Sequence, residues 1–223
     1  MSKQIPWRRI FVEGVVIVVS ILLAFGLQAW WEGVQERADE RALIVDLSPE
    51  FSENLRDLRA TILLHQGYAV RIDGLGSMTS DQMSAIPPDS LSRYSAAMAS
   101  QATFDPRTGT LNGAINSGRL LLLSDSDLRG LLTEWLGELD DGREQSQSVW
   151  GAGEAVLYRM AELGGPWVNR PLMSGDEFVR LANDEELMGL VRVKLAFAYF
   201  YMNRLEALAS LTEQLIAALQ EGQ

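Results

Sequence analysis

The hydrophobic and polar positions of the chain form one uninterrupted apolar segment near the N-terminus, followed by several amphipathic segments. Residues 10–31 make up the apolar segment, and only Glu13, Ser20 and Gln28 are strongly polar within it. As a helix of 22 residues it would span about 33 Å, close to the ~30 Å hydrocarbon core of a bilayer. We therefore predict a transmembrane helix over 10–31, a short segment 1–9 before it and one folded domain over 32–223 after it.

Aromatic and charged residues flank the apolar segment and predict its orientation. The expected membrane-interface anchors are Trp7, Arg8, Arg9, Trp30 and Trp31. Residues 1–31 carry a net charge of +2, which leaves −13 for residues 32–223 out of the total of −11. The positive-inside rule then places the N-terminus in the cytoplasm and the acidic domain outside, in the periplasm if the source is a bacterium. A cleaved signal peptide is the alternative, but the apolar run continues past the small residues Ala24 and Gly26 to a tryptophan pair.

A pair of small residues within the apolar segment is a candidate contact with another membrane helix. Ser20 and Ala24 are four residues apart and share one helix face. Small side chains at this spacing let two helices approach closely. The lipid bilayer and other membrane-protein subunits, or a second copy of the chain, are therefore the expected partners.

Apolar residues recur every three or four positions through most of the remaining chain, which predicts helices. Ser48-Pro49 is typical of a helix start, so we expect a break or kink there and a following helix to about Tyr68. Short helices are expected from Asp89 to about Ser100, over Thr110–Ser117 with Gly118 left-handed after it, and from Ser174. Two longer helices are expected, one capped by Ser124 or Asp125 and ended by Gly164-Gly165, with Arg143–Ser148 as a possible interruption, and one capped by Asn183.

These segments together predict the fold class. Three long amphipathic helices with short ones between them, and no stretch of period-two alternation, favour an all-α fold. We expect one N-terminal transmembrane helix followed by an antiparallel helical bundle.

Composition removes several kinds of chemistry. The chain has no cysteine, and His65 is its only histidine, so thiolate and histidine-rich metal sites are not expected. Asp125 and Asp127 resemble the start of a calcium loop, but the glycine and distal glutamate of such a loop are out of register. The acidic domain disfavours nucleic-acid binding. We expect no catalytic residue, no metal and no cofactor.

Two groups of residues are candidates for an interaction surface. The segment Thr103–Arg119 is rich in polar residues and turn formers, and its candidates are Asp105, Arg107, Asn116 and Arg119. The alternative is that these residues only shape turns and bind helix-end carbonyls. The last helix carries the aromatic run Phe197–Tyr201, whose Tyr199 and Tyr201 cannot share a face, so part of it is expected at the surface.

Residues 12–32, VEGVVIVVSILLAFGLQAWWE, resemble the N-terminal anchor of a broad set of uncharacterised bacterial single-pass inner-membrane proteins. In that set the anchor leads to an L-x-x-[DE]-L…E-x-x-x-N-L pattern, which Leu43, Asp46, Leu47, Glu50, Asn54 and Leu55 approximate. Ser117-Gly118-Arg119-Leu120 resembles a further S-G-x-L element. The resemblance implies inner-membrane topology and a helical extracytoplasmic domain. Pro49 departs from the uninterrupted helix expected there.

Three functions are compatible with these observations. The first is a non-catalytic accessory or scaffolding subunit of a larger inner-membrane complex (respiratory, photosynthetic, transport or envelope assembly), acting by protein–protein contact. The second is a periplasmic ligand-sensing bundle, which would need a partner to signal because only about nine residues are expected inside the cell. The third is an envelope hydrolase of unrecognised type.

Overall fold

The computed structural model describes residues 7–165 and 173–222, except for the side chains of residues 7–10 and 12. The described part of the chain is all-α, as the sequence predicts, and contains no strand. A 3₁₀ turn, Arg119–Leu122, follows the fourth helix. The helices are α1 (Trp7–Leu75), α2 (Ser80–Ser84), α3 (Pro88–Ala99), α4 (Gly109–Asn116), α5 (Ser126–Glu162), α6 (Gly175–Ala182) and α7 (Glu185–Glu221).

The first helix is unbroken for 69 residues and passes through Pro49, so the break predicted at Ser48-Pro49 is wrong. Proline cannot donate the hydrogen bond that the carbonyl of Val45 would receive within the helix. Val45 is 57% exposed and Pro49 is also exposed, so water reaches that carbonyl. Ser48 does not cap a helix, because its hydroxyl donates to the carbonyl of Ile44 at 2.9 Å. On the opposite face of α1, Phe51 is buried in the core, and this packing stabilises the continuous helix.

The helix α1 has two halves with different surroundings. No described side chain from residue 13 to residue 42 is buried, and the first buried residue is Leu43. The apolar stretch makes α1 long and apolar enough to span a membrane, and none of that stretch is covered by the rest of the chain. From Leu43 onward the same helix supplies one wall of the bundle. A segment apolar enough to span a membrane and a core helix of the bundle are therefore parts of one continuous helix.

The three long helices form an antiparallel arrangement in which α7 packs between α1 and α5. Glu40 accepts from the amide of Ser124, and Phe51 contacts Trp135 with ring centroids 5.1 Å apart. Glu40 and Phe51 are eleven residues apart, and so are their partners Ser124, just before α5, and Trp135 within it. The helices α1 and α5 therefore run in the same direction. The indole of Trp135 donates to Thr212 at 2.9 Å near the end of α7, so α7 runs in the opposite direction.

Two separate apolar clusters fill the bundle. The proximal cluster, which lies nearer the apolar half of α1, is built around Trp135 and Phe51. The distal cluster is built around Phe178 and Met98, with contributions from α2, α3 and α6. The three long helices form three sides of the bundle. The fourth side is formed by α3 at the distal cluster and by α4 with the 3₁₀ turn at the proximal cluster. The connection between α3 and α4, residues 100–108, therefore passes from one cluster to the other.

Most helix ends lie where capping residues predict them. Asp125 caps α5 by accepting from the amides of Asp127 and Leu128, and α5 continues without interruption through Arg143–Ser148. Gly118 has φ of 73°, as predicted for the residue that stops α4. The final helix is capped by Asp184 and not by Asn183, which belongs to the end of α6. Asp184 also pairs with Arg159, a contact that the sequence pattern does not reveal.

Candidate functional site

Side chains from α1 and α7 bind the backbone of the connection between α3 and α4 and of the helix ends on either side of it. We call this stretch, residues 97–111, the pinned segment. Asn54 makes the most buried of these contacts, since it is 0% exposed. Its Nδ2 donates to the carbonyl of Arg107 at 2.7 Å, and its Oδ1 accepts from the Arg107 amide at 2.8 Å. One amide side chain thus satisfies both backbone groups of a residue 53 positions away.

Glu50, one turn before Asn54 on α1, caps the next helix from outside. Its carboxylate accepts from the amides of Thr110 at 2.6 Å and Leu111 at 3.0 Å, in the first turn of α4. Thr108, which precedes that turn, contributes no side-chain cap of its own. A carboxylate at a helix N-terminus is favoured by the unpaired amides and by the helix dipole. Glu50 therefore fixes where α4 begins.

Arg107 is engaged by two acids of α1. Its guanidinium lies 2.9 Å from the carboxylate of Glu53 and also binds Asp57. The hydrogen bond from Arg107 holds the pKa of the Asp57 carboxyl below its usual value, and all three side chains are partly exposed. Exposed pairs of this kind contribute little stability. The two acids nevertheless neutralise the charge of Arg107, which the sequence analysis proposed for a surface contact.

A buried polar layer separates the proximal and distal clusters, and His65 is part of it. His65 is 1% exposed, and its Nε2 lies 2.7 Å from the carbonyl oxygen of Ala102. A carbonyl oxygen only accepts hydrogen bonds, so Nε2 carries the proton. Burial lowers the pKa of the imidazole, which keeps the ring neutral. Nδ1 is then an acceptor, and the described residues supply no donor for it.

Lys194 of α7 belongs to the same layer. It is 1% exposed, and its ammonium donates to the carbonyl of Ala97 at 2.8 Å, in the last turn of α3. The ammonium also lies 5.4 Å from the ring centroid of Tyr68. No carboxylate among the described residues pairs with it, and burial lowers its pKa to about 8. Burial disfavours the charge of the ammonium. The carbonyl end of α3 and the face of the Tyr68 ring both stabilise it.

Tyr201 completes the layer and corrects one prediction. It is 1% exposed, and its hydroxyl oxygen accepts from the amide of Phe104 at 2.8 Å. Burial raises the pKa of this phenol. A buried tyrosine cannot form part of a surface, so its assignment to the interaction surface is wrong, whereas Tyr199 is 46% exposed.

The other predicted surface residues lie in two different settings. Asp105 and Asn116 are exposed. Arg119 lies 3.9 Å from Asp46 of α1, at the limit of an ion pair. The predicted surface residues between Thr103 and Arg119 therefore do not converge on one site. Arg107 binds Glu53 and Asp57 of α1, whereas Arg119 lies near Asp46.

The predicted membrane anchors and membrane contact can be located in part. Trp30 and Trp31 are each about three-fifths exposed on the apolar half of α1. Ser20 and Ala24 are also exposed, and the Ser20 hydroxyl donates to the carbonyl of Val16 at 2.8 Å. The side chains of Trp7, Arg8 and Arg9 lie outside the described residues. Whether another helix contacts Ser20 and Ala24 stays a prediction.

Sequence reasoning missed Lys194, although a signal for it exists. Lys194 lies three residues after Val191 and four before Ala198, on the apolar stripe of α7. A charged residue at a core position of an otherwise apolar stripe indicates a buried cation. Apart from Lys3, it is the only lysine in a chain that otherwise uses arginine for its basic residues.

Comparison of this chain with protein-family models, with curated proteins and with solved structures found no match.

Proposed function

We propose that this protein is a membrane-anchored, non-catalytic accessory subunit that acts by binding other membrane-protein subunits or a second copy of itself. The observation that carries the proposal is the continuity of α1. Its apolar half has no cover from the chain, and its second half is a wall of the bundle. Residues 32–42 would separate bilayer and bundle by only about 16 Å of helix. Such a rod holds the domain near the membrane surface at a fixed height.

An exposed apolar patch on α1 and α7 supports a role in protein contact. His65 lies against Tyr201, with ring centroids 5.6 Å apart, which sets the antiparallel register of the two helices. This register places exposed apolar side chains of both helices at similar heights along the bundle. We propose that these side chains, Leu63, Val70, Val193, Tyr199 and Phe200, each between 46% and 72% exposed, form the patch. Exposed apolar residues that cluster are typical of protein interfaces, and aromatic ones carry much of the binding energy.

Crosslinking from this patch tests the proposal. A photoreactive benzoylphenylalanine replacing Phe200 is expected to give a discrete higher-mass adduct in native membranes, because Phe200 projects from the patch. Phe200→Asp is expected to lower the fraction of chain in the native assembly at least about ten-fold, equivalent to 1.4 kcal/mol. The same photoreactive residue at Asp140, exposed on α5 and distant in sequence from the patch, is the matched control. Absence of an adduct from Phe200, together with a monomer under mild extraction, would refute the patch.

The proposed topology has a direct test because the chain contains no cysteine. Single cysteines at Ser2→Cys and Asp140→Cys mark the two sides of the membrane. A membrane-impermeant maleimide is expected to label the Asp140 position in intact spheroplasts and the Ser2 position only after lysis. The basic flank before the apolar segment and the acidic domain after it favour this orientation. The reverse labelling pattern would place the domain in the cytoplasm.

A ligand-sensing bundle is the second candidate, and a groove between α3 and α5 is the observation that favours it. Neither Arg107 nor Arg119 lines this groove. Any ligand would therefore be recognised without those charges.

A further inference from the structure

An open groove of about 460 Å³ lies between α3 and α5, beside the distal cluster. Its α3 wall consists only of small side chains, Ser92, Ser95, Ala96 and Ala99. Its α5 wall consists of Trp150, Leu157 and Met160. Because small residues face large ones across the groove, the two helices leave space that the chain does not fill.

Two apolar side chains of α5 stand at the mouth of the groove. Trp150 is 50% exposed and Leu157 is 44% exposed, and their spacing of seven residues puts them on one face of α5. Met160, one turn further along, is buried. The indole therefore presents a flat apolar surface to whatever enters the groove.

Gln101, at the start of the pinned segment, supplies an unused hydrogen-bond donor. It lines the groove, while its amide rests against Gly153 of α5. A Cβ atom at position 153 would lie 2.4 Å from the amide nitrogen, so the absence of a side chain on Gly153 lets the amide occupy this position. The Nε2 of Gln101 is buried and has no partner among the described residues. A buried donor without a partner is costly, and an acceptor in the groove would relieve that cost once the amide turned toward it.

Two serines of the groove, Ser92 and Ser95, offer hydrogen-bond acceptors, whereas Gln101 offers a donor. The hydroxyl of Ser92 donates to the carbonyl of Asp89 at 2.8 Å, and that of Ser95 donates to the carbonyl of Leu91 at 3.1 Å. Both hydroxyl protons are therefore used, and each oxygen retains lone pairs that can accept. No charged side chain lines the groove in the described part of the chain.

We propose that this groove binds an uncharged N-acetylated amino sugar, a ligand class that goes beyond the proposed accessory function. The apolar C–H face of a pyranose ring packs on the indole of Trp150. The acetamido carbonyl accepts from the amide of Gln101 once that amide has turned toward the groove, and a sugar hydroxyl donates to the oxygen of Ser92, which is exposed whereas Ser95 is only 6% exposed. At about 460 Å³ the groove has the size of a small-ligand site. The absence of lining charge selects against acidic and basic ligands.

Ligand-observed saturation-transfer NMR on the full chain in lipid nanodiscs tests this assignment, because nanodiscs avoid the sugar headgroups of common detergents. The probe is N,N′-diacetylchitobiose, and cellobiose, which has the same ring faces without acetamido groups, is the matched comparison. Saturation is expected at the acetyl methyl protons of the first sugar, with at least a ten-fold weaker response for cellobiose. Equal responses from the two sugars, or none from either, would overturn the proposal.

Three variants locate the binding. Trp150→Ala and Gln101→Leu are each expected to weaken chitobiose binding at least ten-fold. Tyr158→Ala, which removes a 67% exposed aromatic on the same helix that does not line the groove, is expected to leave it unchanged. Unaltered circular dichroism and unfolding midpoints would show that each variant is folded. Binding that survives both groove variants, or a stronger response from an acetylated trialanine amide, would refute the sugar assignment.

Discussion

Replacement of Asn54 with leucine is expected to lower the free energy of unfolding of the bundle by about 3 kcal/mol. Leucine has the same number and branching of side-chain heavy atoms as asparagine but cannot serve the two backbone groups of Arg107, which Asn54 binds at 2.7 and 2.8 Å. Both groups then lose their partner next to a side chain that is fully buried. Each unsatisfied buried group costs about 1–3 kcal/mol, and the two costs add only partly because they share one peptide segment.

Urea unfolding of the full chain, followed by circular dichroism at 222 nm, measures this loss as a lower midpoint with an unchanged slope. Asn112→Ala is the matched control, because Asn112 is exposed and its side chain binds only the hydroxyl of Thr108. We expect that control to lie within about 0.5 kcal/mol of the natural protein. Asn54→Asp is expected to be destabilising as well, since it keeps the acceptor for the Arg107 amide but loses the donor for the carbonyl. An Asn54→Leu variant as stable as the Asn112→Ala control would show that Asn54 does not hold the segment.

Several helix boundaries were predictable because their signal lies within one turn of the boundary. Ser174 and Glu177 form a capping box at the start of α6, with Ser174 Oγ accepting from the Glu177 amide at 3.2 Å. Asp125 at the start of α5 and Gly118 after α4 follow the same logic. Each depends on backbone groups within about four residues of the capping side chain, and the sequence shows all of these groups at once.

The break at Ser48-Pro49 was predicted wrongly because long-range packing decides the outcome there. The local cost of proline in a helix is about 3 kcal/mol, which favours a break. Leu47 and Phe51 are both fully buried in the proximal cluster on either side of Pro49. A break would remove one or the other from the core, whereas an exposed position lets water replace the lost hydrogen bond.

The pinned segment shows why the candidate site was only partly predictable. Glu50 and Asn54 are conspicuous in sequence as an E-x-x-x-N pair on one helix face. Their partners, Arg107 and Thr110, lie more than 50 residues later in a connection without periodicity. Nothing in the sequence states which backbone groups a polar side chain will reach when the partner is in a loop. The alternative that Arg107 serves structure rather than a surface is the one that these contacts favour.

The stability of the bundle is expected to rise with pH between 7.5 and 9.5, by about 2 kcal/mol, because of Lys194. Its pKa is about 8 in the folded chain and 10.5 in the unfolded chain. Below pH 8 the ammonium is protonated in both states, so the cost of burying its charge is fully present. Between pH 8 and 10.5 the unfolded chain binds more protons than the folded one, and stability therefore rises with pH. Tyr201 acts in the opposite direction near pH 10 and above, since burial raises its pKa, so the measurement ends at pH 9.5.

The variant Lys194→Met isolates this effect. Methionine fills a similar volume without a charge, so the rise with pH is expected to disappear, and stability at pH 7 is expected to increase by about 1–2 kcal/mol. The increase is smaller than the full cost of the buried charge because the carbonyl of Ala97 loses its donor. Lysine-selective isotope labelling gives the pKa directly, since Lys3 is the only other lysine and serves as an internal reference. A Lys194 signal that titrates near 10.5, together with a flat stability profile in the natural protein, would show that the ammonium is hydrated rather than buried between the two clusters.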